Sequence, residues 1–227
     1  MTPDLFTAVD RYITDLFVPP DPALDEALEA SDAAGLPSIN VSPNMGKLLQ
    51  ILARLQRAHN ILEIGTLGGY STIWLARGLP ADGHLITLEV DSKHAEVARA
   101  NIRRAGLDKI VELRLGPALE TLPKLAAEGR GPFDMIFIDA DKPNNPEYFT
   151  WALKLSRLGS LIFIDNVVRK GAVIDVNSSD PTIQATRRLN AMLAAEPRVT
   201  VTEIQTVGSK GHDGCAIALV IDALNKD

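Results

Sequence analysis

The sequence has few of the features that mark secreted, membrane-spanning or nucleic-acid-binding proteins. It contains one cysteine, Cys215, in 227 residues, which excludes an internal disulfide. Its basic residues do not cluster beyond pairs such as Arg103-Arg104, and its net charge of −6 disfavours a groove that must neutralise phosphates. No stretch is long and apolar enough for a membrane span, and the first residues lack the basic and apolar regions of an export signal. We therefore expect a cytoplasmic protein with a small-molecule partner, and neither a nucleic-acid nor a membrane partner.

What the sequence does have is a large apolar content in one continuous pattern. Hydrophobic residues make up 46% of the chain, without a break in complexity. A chain of this length and composition fits one α/β domain over residues 1–227 better than two small domains. Residues 1–58 carry helical patterns and no strand pattern, whereas 59–227 alternate between the two. We predict an N-terminal helical layer on an α/β core.

The segment before the first strand is predicted to hold an extended turn and a helix. Ser42-Pro43 is a typical helix start. Apolar residues follow at helical spacing, namely Leu48, Ile51, Leu52 and Leu55. Because such stripes are usually packing faces, we expect this one to cover the sheet or a subunit contact rather than to act as a substrate lid. The turn 39–43 is expected to fold over a ligand at the strand ends.

Seven apolar runs of strand length follow this segment. They are Ile61 to Ile64, Leu85 to Val90, Ile110 to Leu115, Met135 to Ile138, Leu161 to Ile164, Val199 to Ile204 and Ala216 to Ile221. Segments of helical length separate the first five, which predicts a parallel, doubly wound sheet with right-handed crossovers. Only Gln205 to Gly214 separates the last two, so these are predicted to form an antiparallel hairpin at the edge of the sheet.

A glycine-rich turn follows the first strand, from Glu63 to Ser71. Its spacing is not G-x-G-x-x-G, and Glu63 stands where it would repel a pyrophosphate. Glu89 ends the second strand, where an acidic side chain commonly accepts hydrogen bonds from ribose. S-adenosylmethionine carries both a ribose diol and a positive charge, so we expect this ligand, with Gly116 to Ala118 against its adenine. A purely structural turn and a nicotinamide-dependent oxidoreductase are the alternatives.

Two neighbouring strands end in oxygen-bearing side chains, Asp139 after one and Asp165-Asn166 after the other. Ligands of parallel sheets lie beyond these carboxyl ends. Without His or Cys in the set, Mg²⁺ is favoured over Zn²⁺, with Mn²⁺ or Ca²⁺ as alternatives. A catechol-like acceptor would complete the ion's coordination, and Lys142 is expected to be the general base. The alternative is a structural role, in which these aspartates cap helices or turns and Asp141 pairs with Lys142 at the surface.

These features together resemble the cation-dependent O-methyltransferases, a family that includes catechol and caffeoyl-CoA O-methyltransferases, and most of all its bacterial small-molecule members. The resemblance runs from about Val41 to Ile221. The segments that carry it are Val41 to Leu49, Leu62 to Ser71, Phe137 to Lys142, Ile164 to Asn166 and Lys210 to Gly214. It implies a seven-stranded Rossmann-like class I methyltransferase fold, commonly a homodimer.

The resemblance also implies roles for single residues. Those that would hold S-adenosylmethionine are Val41, Glu63, Gly65, Thr66, Ser71, Glu89, Ala118 and Asp139. Those that would hold the metal are Asp139, Asp165 and Asn166, and Lys142 matches the proposed base of the family. The implied activity is transfer of a methyl group to a vicinal dihydroxy aromatic small molecule.

The sequence departs from the family pattern around the acceptor. Many relatives place an aromatic residue soon after the Asp-Asn pair, whereas this chain continues Val167-Val168-Arg169-Lys170. Arg169 and Lys170 are interpreted either as partners for an acidic acceptor or as solvated loop charges, and His212 either as a substrate contact or as a turn residue. A non-catalytic scaffold that binds nucleosides, and a methyltransferase with a non-catechol acceptor, also stay open.

Overall fold

The computed structural model describes residues 2–222, in which strands and helices alternate. The strands are β1 (Asn60–Ile64), β2 (His84–Glu89), β3 (Val111–Leu115), β4 (Phe133–Ile138), β5 (Ser156–Asp165), β6 (Val199–Gly208) and β7 (Gly211–Val220). The helices are α1 (Pro3–Phe17), α2 (Pro22–Ala33), α3 (Pro43–Leu55), α4 (Tyr70–Ala76), α5 (Ser92–Arg104), α6 (Ala118–Ala127), α7 (Asn145–Lys154) and α8 (Pro181–Ala195). Short 3₁₀ segments cover Lys142–Asn144 and Arg169–Ile174.

The strands form one sheet in the order β3-β2-β1-β4-β5-β7-β6. Strands β1 to β5 pair in parallel, and β7 runs antiparallel to both β5 and β6. The predicted parallel sheet with a terminal antiparallel hairpin at its edge is therefore confirmed. The order reverses between β1 and β4, which opens a crevice at their carboxyl ends.

Helices cover both faces of the sheet because successive strand residues point to opposite sides. Leu62 of β1 belongs to a buried cluster that includes Leu189 of α8. Its neighbour Ile61 belongs to a second cluster, with Leu49 of α3 and Ile73 of α4. Strands buried on both faces explain why the sequence shows continuous apolar runs rather than alternation.

Helix α3 starts as predicted, and its buried face includes only part of the predicted stripe. Ser42 caps the helix by accepting a hydrogen bond from the backbone of Met45. Leu49 and Ala53 are fully buried, whereas Ile51 and Leu55 are 44% and 74% exposed. Leu48 and Leu52 of the stripe pack against the core, and a subunit contact by the exposed Ile51 and Leu55 stays a prediction.

The hairpin strands are longer than predicted. Strand β6 runs to Gly208 and β7 begins at Gly211, so only two residues connect them. His212 therefore pairs within the strand, opposite Val207, instead of lying in a turn. Polar residues end an apolar run but not a strand, since an edge hairpin exposes one face to water.

Two expectations concern the chain as a whole, namely the lack of a membrane span and the single domain. Within residues 2–222, no helix combines the length and apolar content needed to cross a membrane. The single domain over residues 1–227, with its division at 58, stays a prediction, and Met1 and residues 223–227 lie outside the described part.

Candidate active site

A cavity of about 720 Å³ lies at the carboxyl ends of the central strands. The turn that was predicted to fold over a ligand forms part of its wall, through Ile39, Asn40 and Val41. Predicted site residues that line it are Val41, Gly65, Thr66, Ser71, Glu89, Ala118, Asp139, Lys142 and Asn166. The fold thus brings residues from distant parts of the sequence to one space, as the strand-end argument requires.

The loop between β1 and α4 is held tightly against the end of β4. Gly65 has φ +100°, and a Cβ atom there would lie 2.2 Å from the carbonyl oxygen of Asp139. The Asp139 backbone N–H in turn donates to the Ile64 carbonyl oxygen at 2.9 Å. A side chain at Gly65 would separate the two strand ends, so glycine is required for this close approach.

Glu63 lies beneath this loop and is fully buried. Its carboxylate accepts hydrogen bonds from the hydroxyl groups of Ser71 (2.6 Å), Thr87 (2.7 Å) and Thr72. Burial raises the pKa of Glu63 from 4.5 to about 7, although these three hydroxyl groups partly oppose the shift. Its link to the cavity runs through Ser71, and direct ligand contact by Glu63 stays a prediction.

Glu89 closes the other side of the loop. One carboxylate oxygen accepts from the backbone N–H groups of Thr66 (3.3 Å) and Leu67 (2.7 Å), and the other from those of Val90 (2.9 Å) and Asp91 (3.0 Å). Glu89 is 8% exposed and still lines the cavity. It therefore fixes the loop and faces the cavity, and its contact with a ligand stays a prediction.

The segment after β3 completes the cofactor side of the cavity. The Gly116 backbone N–H donates to the Glu89 carbonyl oxygen at 2.8 Å, and Gly116 itself has φ +140°. Pro117 and Ala118 follow and line the cavity at the start of α6. This location agrees with the expectation that backbone from Gly116 to Ala118 faces a planar ring.

At the far end of the cavity, carboxylates from β4 and β5 lie near one cation. The Lys142 ammonium donates to Asp139 Oδ1 at 2.7 Å. Burial, followed by the negative charge of Asp139, raises the pKa of Asp165 from 3.8 to about 7, while Lys142 acts in the opposite direction. Asn166 adopts φ +63° and lines the cavity, whereas Asp165 is not among the lining residues.

The side chains at this end offer the type of ligand atom that a hard divalent cation prefers. Only oxygen atoms are offered, and two carboxylates close enough to raise a pKa carry more negative charge than Lys142 neutralises. The described residues contain no cluster of three or more His, Cys, Asp or Glu side chains that could hold a metal. The predicted set has two carboxylates and one amide, so its metal binding stays a proposal.

Known proteins that are similar to this chain identify its family. A model of the O-methyltransferase family matches residues 18–219. The chain belongs to the O-methyltransferase family. This membership confirms the resemblance and excludes the nicotinamide-dependent oxidoreductase.

Similar O-methyltransferases cover almost the whole chain. A catechol O-methyltransferase of Niastella koreensis is 57% identical over 220 residues, which are 97% of this chain and 100% of that protein. The structure of an O-methyltransferase from Bacillus cereus in complex with SAH has 57% identity and a TM-score of 0.95, covering 96% of this chain and 100% of that one. TomG from Streptomyces achromogenes, an O-methyltransferase of tomaymycin synthesis solved with SAM, has 50% identity and a TM-score of 0.95, covering 98% and 100%.

Sequence reasoning missed three polar residues of this O-methyltransferase cavity. Tyr148 donates its hydroxyl to Asp141 Oδ1 at 2.5 Å, and the amide of Asn144 donates to Asp141 Oδ2 at 2.6 Å. All three line the cavity, and burial together with the Asp141 contact raises the pKa of Tyr148. Asp141 is therefore not a simple surface partner of Lys142. The sequence feature that could have indicated them is the spacing from Asp141 to Asn144 and Tyr148, which places the three residues on one side of a helical segment.

Proposed function

We propose that this O-methyltransferase is dependent on S-adenosylmethionine and a divalent cation, and that it methylates one hydroxyl of a vicinal dihydroxy aromatic small molecule. The observation that carries the proposal is the meeting of Asp139, Asn166 and Lys142 in one cavity with the glycine turn. The relatives support it: one is named a catechol O-methyltransferase, and two are solved with SAM or SAH.

The cofactor would occupy the side of the cavity formed by the glycine turn. Glu89 would accept hydrogen bonds from the ribose, and Gly116 to Ala118 would lie against the adenine. Ser71, whose hydroxyl proton is donated to Glu63, would accept a hydrogen bond from the cofactor through its oxygen, while backbone at Gly65 and Thr66 approaches closely. Val41 would cover the ligand from the turn 39–41, and Asp139 would be shared between cofactor and metal.

A divalent cation would be held by Asp139, Asp165 and Asn166, with Mg²⁺ the first candidate and Mn²⁺ or Ca²⁺ as alternatives. When bound, it supplies positive charge that favours the deprotonated form of a nearby hydroxyl group. Both carboxylates must be ionised for this role, and a cation between them would favour that state. Because burial and the negative charge of Asp139 raise the pKa of Asp165, we expect cation affinity to fall as the pH drops below neutrality.

Lys142 would act as the general base for the acceptor hydroxyl once its ammonium group has lost a proton and become the neutral amine. Its ammonium nitrogen is 2.7 Å from Asp139 Oδ1, so the side chain is already held at the metal end of the cavity. In methyl transfer a phenolate oxygen bonds to the methyl carbon as the carbon–sulfur bond of the sulfonium breaks, which leaves a neutral ether and a neutral thioether. Because both charges disappear, a water-poor cavity helps the reaction. The remaining task of the protein is to hold oxygen, methyl carbon and sulfur in line.

We also propose a homodimer that buries one face of α1. Leu5, Val9, Tyr12 and Leu16 form an apolar stripe and are 47–65% exposed. The opposite side of α1 is already anchored, because Asp10 accepts hydrogen bonds from Asn44 (3.1 Å) and from the Ser209 backbone (2.8 Å). An anchored helix with its apolar side outward is typical of a surface that meets another protein.

The experiment that tests the function is transfer of a labelled methyl group from S-adenosylmethionine to catechol and to phenol, with Mg²⁺ or with EDTA. We expect transfer to catechol only, and its loss in EDTA. Asp165→Ala should abolish turnover and spare cofactor binding, whereas Asp108→Ala, an exposed control, should change neither. Cofactor binding with no transfer to any diol would favour the non-catalytic scaffold, and EDTA-resistant transfer would contradict the metal site.

A further inference from the structure

Arg169 brings a guanidinium to the cavity wall beyond the metal end. It follows Asp165 and Asn166 by a few residues, has φ +55°, and lines the cavity with about a third of its side chain exposed. Its neighbour Lys170 has a similar backbone conformation but is exposed and does not line the cavity. The sequence left both residues open between acceptor contact and solvated charge, and their locations separate them.

The loop that carries Arg169 is fastened to β7 by one carboxylate oxygen. Asp213 Oδ1 accepts hydrogen bonds from the backbone N–H groups of Arg169 (2.8 Å), Gly214 (3.0 Å) and Val168 (3.1 Å). Three bonds to one oxygen fix the direction in which the Arg169 side chain leaves the backbone. The backbone from which the Arg169 side chain extends is therefore held in place before any ligand binds, which lowers the entropy cost of binding.

The guanidinium itself is poorly supplied with acceptors. Its Nε atom is buried and has no hydrogen-bond partner among residues 2–222. Its Nη1 atom is 3.7 Å from Asp213 Oδ2, which is beyond hydrogen-bond distance. A guanidinium has five N–H donors in a planar fork, and a carboxylate is the ligand that matches this fork.

Three other polar side chains at this end already have partners. Lys142 is bound to Asp139, and both Asn144 and Tyr148 donate to Asp141. In the described part of the cavity wall, Lys142 and Arg169 are the lysine and arginine side chains. Lys142 already has a carboxylate oxygen at 2.7 Å, whereas the buried Nε of Arg169 has no hydrogen-bond partner among residues 2–222, so Arg169 is the cation better placed to take an anionic ligand group.

We propose that Arg169 binds a carboxylate of the methyl acceptor, so that the preferred substrate class is an aromatic acid with a vicinal diol. This inference rests on the proposed function, since it assigns the group that lies away from the reacting hydroxyls. Arg169 thereby acts in substrate recognition, not in the methyl transfer step.

The test compares two acceptors that differ in charge and little in shape, 3,4-dihydroxybenzoate and 3,4-dihydroxybenzamide. We expect wild-type kcat/KM to be at least about tenfold higher for the acid, which is the low end of the effect of a hydrogen bond to a charged group. Arg169→Gln should remove most of this preference through KM, and Arg169→Lys should restore part of it. Lys170→Gln, the matched control, should keep the wild-type preference.

Direct binding provides a second measurement that is independent of turnover. The dissociation constant of S-adenosylmethionine should be the same in wild type and Arg169→Gln, because Arg169 is assigned to the acceptor. A weaker cofactor affinity in Arg169→Gln, or equal losses on acid and amide, would overturn the proposal in favour of a structural or cofactor role.

Turnover of the three acceptors also distinguishes a failure of the carboxylate assignment from a failure of the proposed function. If wild type methylates both diols at equal efficiency, the carboxylate assignment is wrong and the proposed function survives. If wild type methylates neither diol nor catechol while binding the cofactor, the proposed function fails and the assignment of Arg169 fails with it.

Discussion

At the residue scale, Glu63 links a buried charge to the shape of the cofactor side of the cavity. It is a fully buried carboxylate surrounded by three hydroxyl donors, and one of these, Ser71, lines the cavity. Three neutral donors only partly replace the water that the ion loses, so the protonated form is favoured.

This shift predicts a pH dependence of stability. The folded state holds the Glu63 proton up to about pH 7, whereas the unfolded chain releases it near 4.5. The contribution to the free energy of unfolding is therefore present below pH 4.5 and is lost as the pH rises to about 7, on the order of 3 kcal/mol. Glu63→Gln, which stays neutral, should flatten this part of the curve.

The measurement is urea unfolding of wild type and Glu63→Gln between pH 4 and 8. Glu96→Gln replaces an exposed carboxylate and should keep the wild-type slope, which makes it the matched control. The same slope in Glu63→Gln as in wild type would show that Glu63 does not carry the shift.

At the scale of the element, the loop between β1 and α4 depends on close contact with the end of β4. An alanine at Gly65 is penalised twice, by φ +100° and by a Cβ atom 2.2 Å from the Asp139 carbonyl oxygen. Gly129, after α6, has φ +66° and nothing within 4 Å of its Cβ position. It is therefore a control for the conformational penalty alone, which is roughly 1–2 kcal/mol.

We predict that Gly65→Ala lowers the free energy of unfolding well beyond the effect of Gly129→Ala. The excess should be more than roughly 2 kcal/mol, because the strand end that carries Asp139 must move. Urea unfolding of both variants measures it. Equal losses would mean that the loop does not press on β4 as the structure shows.

For the individual helices and strands, the sequence predicted the type of each element well and the residues at which it begins and ends less well. Central strands such as β1, β2 and β4 were recognised because burial on both faces makes a continuous apolar run. Strand β6 was cut short at Ile204, because polar residues on the water-facing side of an edge strand look like loop. The stripe predicted for α3 includes Leu48 and Leu52, which pack against the core, but omits the fully buried Leu49 and Ala53, because spacing does not show which residues lie at the centre of a buried face.

At the scale of the whole molecule, the exposed stripe of α1 predicts self-association. In sedimentation velocity, wild type should have twice the monomer mass. Leu5→Lys combined with Leu16→Lys should yield monomers, because two charges would be buried without partners. Leu158→Lys, at an exposed leucine of β5, should leave the dimer intact. A monomeric wild type, or a stripe variant that stays dimeric, would contradict this interface.

The sequence by itself determined the kind of protein and the main chemical groups. Strand-end residues such as Asp139 and Asn166 were predictable because parallel strands must end at one edge, and backbone rules fix which edge. The family motifs then placed the chain among the O-methyltransferases.

Only the tertiary structure decided what each group meets. It placed Glu63 behind Ser71, joined Tyr148 to Asp141, and turned Arg169 rather than Lys170 to the cavity. These arrangements depend on contacts between segments far apart in sequence. Strand periodicity and local spacing carry no information about such contacts, because they are set by how the layers pack.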